Sequence, residues 1–325
     1  MDRRTRVVLI VVIAALVAAG AAIAAALVLG SDDQRGGGRE GAPPLVLDLG
    51  VRTDPEARDL RRAERLYTDE KRAEAERIFA RYDSAPAEIG SAFSQWPEGA
   101  VSKLERLAAE HPRDARVLLH LGFVRFWVGR DNEALQAWRD AARVEPDSPS
   151  AGRADDVLHP NFPRGRPHFV PTFGAPPSLT GLSAPRQVAT LARRARSRDV
   201  QAKLLYGLAL QRLGHRLSAQ RQYDSAVRLA PRNAEARVAA AVVRFDKARP
   251  SVAFSRLGPL TRRFPRAQSV RFHLGLMLLW LARVQPGSVE EGKTQLRRAR
   301  ALGPTTVLGR EAKRLLDSLE GQESR

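Results

Sequence analysis

Cysteine is absent from this 325-residue sequence, which excludes disulfides, thiolate metal sites and a cysteine nucleophile. Lysine is scarce: the 54 basic residues include six lysines, and the rest are arginine. Aromatic residues make up 6% of the chain, and there are six histidines. No phosphate-loop, HExxH or GxSxG motif occurs, and no paired carboxylates sit at a turn. His159 and His168 both fall in the Pro-rich stretch 159–185, and Asp155 and Asp156 alone stand near them, too few ligands for a metal site. The chain is therefore not expected to be an enzyme or to hold a cofactor or metal.

Positive charge is abundant, and unevenly spread. The formal net charge is +18. Residues 31–114 carry 14 basic and 18 acidic residues, whereas residues 115–325 carry 37 and 17, a net +20. A field of that sign favours an acidic protein, lipid headgroups or an anionic envelope polymer as partner. The densest cluster is ARRARSR at 192–198. No nucleic-acid motif is visible, and no nucleic-acid partner is expected.

Near the N-terminus, residues 7–30 are 24 uncharged residues, against the roughly 20 that span a bilayer. Arg3, Arg4 and Arg6 precede the run, and Asp32 and Asp33 follow it. The positive-inside bias puts residues 1–6 in the cytoplasm and the remainder outside a single-pass cell-membrane anchor. A cleaved signal peptide, giving a secreted protein, is the alternative. Residues 31–54 open Gly-rich and charged and read as a flexible linker, with a short apolar patch at 45–50.

Residues 115–148 show the organisation of the rest. One apolar-periodic run passes Leu121-Gly122 and ends at Gly129; a second starts at Asp131, carries Ala134, Trp138 and Ala141, and stops at Pro146. The spacing predicts two helices joined at a glycine and closed by a proline, with small residues where the helices approach. Pro112 to Pro146 and Pro231 to Pro265 are each 34 residues, and Pro146 to Pro231 is 85, two and a half such periods.

The Leu-Gly pair, the alanines, the aromatic and the closing proline at this period resemble the tetratricopeptide repeat (TPR) family. That resemblance implies an all-α fold, a TPR-like α-solenoid of helical hairpins, which here would follow the N-terminal transmembrane helix read from residues 7–30. It divides the chain into degenerate hairpins at 55–114 and repeats at 115–148, 149–199, 200–233, 234–267 and 268–304, with a capping helix at 305–321. The 149–199 repeat is interrupted by an insertion, 159–185, holding seven prolines, and the 268–304 repeat carries a short insertion near residue 286.

In TPR proteins the first helix of each repeat lines a concave groove. Carried over, the resemblance assigns Arg116, Leu119, Phe123, Phe126 and Trp127 to a partner-binding groove. It adds Leu204, Leu208, Gln211 and Arg212, then Val238, Val242 and Phe245, and finally Phe272, Leu276, Leu279 and Trp280. Such a lining suits an extended or helical peptide. Phe162, Phe169 and Phe173 of the insertion, spaced among prolines that hold it extended, are candidates to fill that groove from within; a mobile loop is the alternative. The expected function is a membrane-anchored scaffold binding a protein or peptide partner in envelope assembly or exported-protein maturation. A basic receptor for anionic envelope polymer or lipid headgroups is the rival.

Overall fold

The computed structural model describes residues 39–323, and the transmembrane helix expected at 7–30 lies outside them. Among the described residues no helix is long and apolar enough to cross a membrane. The chain divides between Pro160 and Asn161 into two compact units, each an array of TPR-like helical hairpins.

The first unit opens with an extended segment, 42–49, followed by α1 (Pro55–Thr68), α2 (Arg72–Phe79), α3 (Ala85–Ser94), α4 (Ala100–Glu110), α5 (Ala115–Trp127), α6 (Asp131–Val144) and α7 (Pro149–Leu158). Helix starts follow from side-chain acceptors placed for orphan amides. Asp54 accepts from the Ala57 N–H at 3.0 Å, Asp114 from the Arg116 N–H at 2.8 Å, and Ser148 from the Ala151 N–H at 3.1 Å. Gly129, at φ +81°, ends the run after α5 in the left-handed region that a side chain disfavours. Each helix packs on the next, and the alternate helices α1, α3, α5 and α7 touch one another in turn. That pattern defines the array.

Its core is aromatic. Tyr67, Phe93, His120, Phe123 and Trp138 form an unbroken file of edge-on rings with centroids 5.2–5.9 Å apart. Such pairs add about 0.5–1.5 kcal/mol each beyond area burial. Within the central hairpin Trp138 lies on Gly122, where a Cβ would overlap the indole, and its Nε1–H donates to the Leu119 carbonyl at 3.2 Å.

The second unit begins with the Pro-rich segment and a short turn at Pro177–Leu179. Then come α8 (Ala184–Arg194), α9 (Val200–Arg212), α10 (Arg216–Leu229), α11 (Ala234–Val242), α12 (Ser251–Leu257), α13 (Leu260–Arg263), α14 (Gln268–Trp280), α15 (Ser288–Leu302) and α16 (Val307–Glu323). Gly207 meets Tyr223 as Gly122 meets Trp138, at the same spacing of 16 residues. Gly275 meets Leu296 and the Gly292 carbonyl in the last hairpin. The second helix of the 234–267 hairpin is broken into α12 and α13 at Gly258-Pro259, since proline has no N–H to continue the ladder. Thr306 starts α16 by accepting the Gly309 N–H at 3.0 Å.

Two sequence expectations are corrected here. The interrupted hairpin at 149–199 is not one repeat: α7 packs on α5 and α6, whereas α8 packs on α9, and the unit boundary falls inside the insertion. Within the linker expected to be flexible at 31–54, the described residues 42–49 are packed, because Leu45, Val46, Leu47 and Leu49 are buried in the first unit's core.

Candidate functional site

The surface formed by first helices is where a TPR array would meet a peptide. In both units this chain fills that surface itself.

In the first unit the extended segment 42–49, here termed the first strap, crosses α1, α3 and α5. A buried extended backbone with no neighbouring strand must find other partners for its polar groups. The Val46 N–H donates to His120 Nε2 at 3.2 Å and the Leu47 N–H to Glu64 Oε1 at 3.0 Å. The Tyr67 hydroxyl donates to the Pro43 carbonyl at 2.7 Å, and Trp96 Nε1–H to the Gly41 carbonyl at 3.1 Å. Asp48 ends the strap, holding Arg153 of α7 through both carboxylate oxygens at 2.8–3.0 Å and accepting from Ser150. Leu47 is fully enclosed. Burying each of the four apolar side chains contributes about 1.5–3 kcal/mol.

The second strap, 167–173, crosses α9, α11 and α14. The Phe169 N–H donates to Gln211 Oε1 at 3.3 Å, the Val170 N–H to His273 Nε2 at 2.8 Å and the Thr172 N–H to Glu235 Oε1 at 2.7 Å. Pro167 and Pro171 bring no N–H that would need a partner and favour the extended course. Phe169 is fully enclosed, stacked on the His273 ring at 5.4 Å and edge-on to Tyr223 at 5.8 Å. Phe162 meets Phe245 at 6.2 Å, and Phe173 packs against the same core.

The two straps share one device. His120 is the sixth residue of α5 and His273 the sixth of α14, and each is followed by Leu-Gly. Each ring sends Nδ1 to the carbonyl four residues back, Arg116 or Ser269, at 2.7 Å. A carbonyl only accepts, so Nδ1 carries the proton; the strap N–H only donates, so Nε2 is bare. Burial pushes both imidazoles down to about 4 from 6.5, against the pull of those carbonyl bonds. Both are therefore neutral acceptors at neutral pH.

The groove residues assigned from the sequence are thus closed off within the chain. Leu119, Phe123, Phe126 and Trp127 are buried in the first unit, and Arg116 is half-buried beside Asp114 at 3.3 Å. The Arg39 guanidinium lies 3.4 Å over the Phe126 ring and pairs with Asp131 at 3.0 Å. In the second unit Leu204, Leu208, Gln211, Val238, Val242, Phe245 and Phe272 are buried, while Arg212, Leu276, Leu279 and Trp280 are half-buried. Of the two sequence expectations, a groove open to a peptide and one filled by the insertion, the packing of Phe162, Phe169 and Phe173 in the second unit fits the second. The two histidines, Glu64 and Glu235 were not singled out from the sequence; the repeated His-Leu-Gly at one helix position was the available signal.

Removing one bond of the first strap gives a local test. Tyr67→Phe leaves the Pro43 carbonyl without its donor and should cost about 1–2 kcal/mol. Hydrogen exchange should quicken at residues 42–49 and stay unchanged at 167–173.

No protein-family model matches the chain, and no curated protein matches it. Among solved structures it is similar to yeast Tom70 at 12% identity and TM-score 0.31, over 87% of this chain and 68% of that one. A TPR repeat-containing protein from Cytophaga hutchinsonii matches at 14% and 0.29, over 78% and 98% of the two chains. The Cut9–Hcn1 complex of APC/C matches at 15% and 0.27, over 81% and 55%. Scores this low leave the TPR-like assignment resting on the chain's own repeat geometry.

Proposed function

We propose that this chain is a protein-binding scaffold, anchored in the cell membrane by residues 7–30, whose hairpin arrays stand on the extracytoplasmic side. Its work would lie in envelope assembly or the maturation of exported proteins. The observation that carries the reading is the filling of both first-helix surfaces by the chain's own straps. An array whose inner surface is already packed offers a rigid outer surface for docking. The helices that form it carry exposed arginines such as Arg139 on α6 and Arg298 on α15. An acidic protein partner suits that surface.

Photo-crosslinking in intact cells tests the docking surface. A crosslinking residue at Arg139 in the first unit, or separately at Arg298 in the second, should capture a protein partner, and one at Thr172 of the second strap should capture none. Capture from Thr172 alone would show that the strap yields to the partner and would overturn the outer-surface reading.

Topology has its own test. In this cysteine-free chain, Ser31→Cys should react on whole cells with a membrane-impermeant thiol reagent. Labelling only after lysis would reverse the orientation, and a mature chain beginning near residue 31 would replace the anchor by a cleaved signal.

A further inference from the structure

Within the second unit, residues at the end of α8 and on α9 and α10 border an open recess of about 340 Å³. Ala192, Ala195 and Arg196 line it from the first, Lys203 and Tyr206 from the second, Gln222 and Ser225 from the third. Lys203 is 8% exposed, and its ammonium donates to the Ala195 carbonyl. A buried ammonium is ordinarily paired with a carboxylate. Here no Asp or Glu lines the recess, and among the described residues neither Lys203 nor Arg196 has an acidic partner. The neighbouring Arg194 is different, standing 3.7 Å from Asp199 and donating to Ser178. The structure thus singles out one arginine of the 192–198 cluster and sets it beside a buried lysine. Tyr206, Gln222 and Ser225 add two hydroxyls and an amide, none with a side-chain partner among the described residues.

We propose that this recess binds a phosphate group carried on a small organic substituent. Two cations without a carboxylate partner and three neutral side chains with donors line one recess from three helices, a set that a tetrahedral oxyanion with several acceptor oxygens can satisfy. The volume exceeds what bare phosphate fills and lies at the small end of ordinary ligand sites. A soluble phosphate ester and a phospholipid headgroup share this chemistry. The inference rests on neither strap and stands apart from the scaffold reading.

Calorimetric titration of the full chain in neutral detergent, at about 0.15 M salt to screen the general positive field, tests it. The titrants are inorganic phosphate, glycerol 3-phosphate and a short-chain phosphatidylglycerol below its micelle concentration. Glycerol 3-phosphate should bind more tightly than inorganic phosphate. Arg196→Gln, an exposed change that should not disturb folding, should weaken binding about tenfold or more. Lys203→Met should do at least as much. Arg298→Gln removes the same formal charge elsewhere and should leave binding unchanged. Binding of the phosphatidylglycerol in competition with glycerol 3-phosphate identifies a headgroup site; binding of the soluble ester alone identifies a soluble ligand. Absence of binding by all three titrants, or equal weakening by Arg298→Gln, overturns the proposal.

Discussion

Gly122→Leu should unfold the first unit's central hairpin or cost it at least about 3 kcal/mol. A Cβ at this position already overlaps the Trp138 indole, and leucine adds three further carbons. The indole cannot move aside cheaply. It is 1% exposed, its Nε1–H is committed to the Leu119 carbonyl, and Phe123 and Phe126 face it at 5.9 and 5.5 Å. Overpacking a dense core costs roughly 1–3 kcal/mol, occasionally more, and this site has no free volume to relax into. Arg139→Ala, at an exposed position of α6, should change stability by less than about 0.5 kcal/mol. Thermal melting of the two variants against the parent chain checks the pair; equal melting temperatures would show that Gly122 does not face α6.

Acidification should loosen both straps. His120 and His273 titrate near 4 when folded and near 6.5 when exposed, because burial disfavours the imidazolium. Asp48 favours the charged form of His120, while Arg153 and Arg116 oppose it. The unfolded chain therefore binds protons that the folded chain does not. The stabilisation is fully present above about pH 6.5 and is lost as pH falls towards 4. One proton per histidine gives a slope of about 1.4 kcal/mol per pH unit, and the span of the shift gives roughly 3 kcal/mol for each. The protonated ring would also place a donor against the strap N–H.

His120→Phe removes the acceptor and should cost about 1–3 kcal/mol at pH 7 by leaving the Val46 N–H unpaired. It should also reduce the pH dependence of exchange protection, taken relative to the intrinsic amide rate, at residues 42–49 between pH 6.5 and 4; what remains belongs to Glu64, whose carboxyl burial raises above its usual range while it holds the Leu47 N–H. The dependence at 167–173 should persist until His273 is changed likewise. A purely structural loss would weaken the strap without altering its response to pH, so an undiminished response in His120→Phe would reject the histidine pin.

The hairpins were legible because their signals are local. Helical periodicity, glycine after α5 and proline near the repeat ends act over four or five residues. The spacing from Gly122 to Trp138 is local in the same sense, one helical hairpin across. The Pro-rich course and aromatic spacing of 159–185 marked it as a candidate to fill the groove, with a mobile loop as the alternative.

The straps were decided elsewhere. Val46 and His120 are 74 residues apart, and Val170 and His273 are 103 apart, so no windowed pattern joins them. A run such as Leu45-Val46-Leu47 has no partner strand and no helical period, and after a Gly-rich stretch it reads as linker. Whether such a run stays in solvent depends on whether acceptors for its amides are already held at the right depth. Glu64 and His120 supply them only after α1 and α5 have packed. For the same reason the first-helix residues could be identified from the sequence, but the segment that covers them in the first unit could not. Repeat period and composition determined that this chain would build hairpins; tertiary packing decided that their inner surfaces would be closed, because only there do the buried side chains meet the backbone that satisfies them.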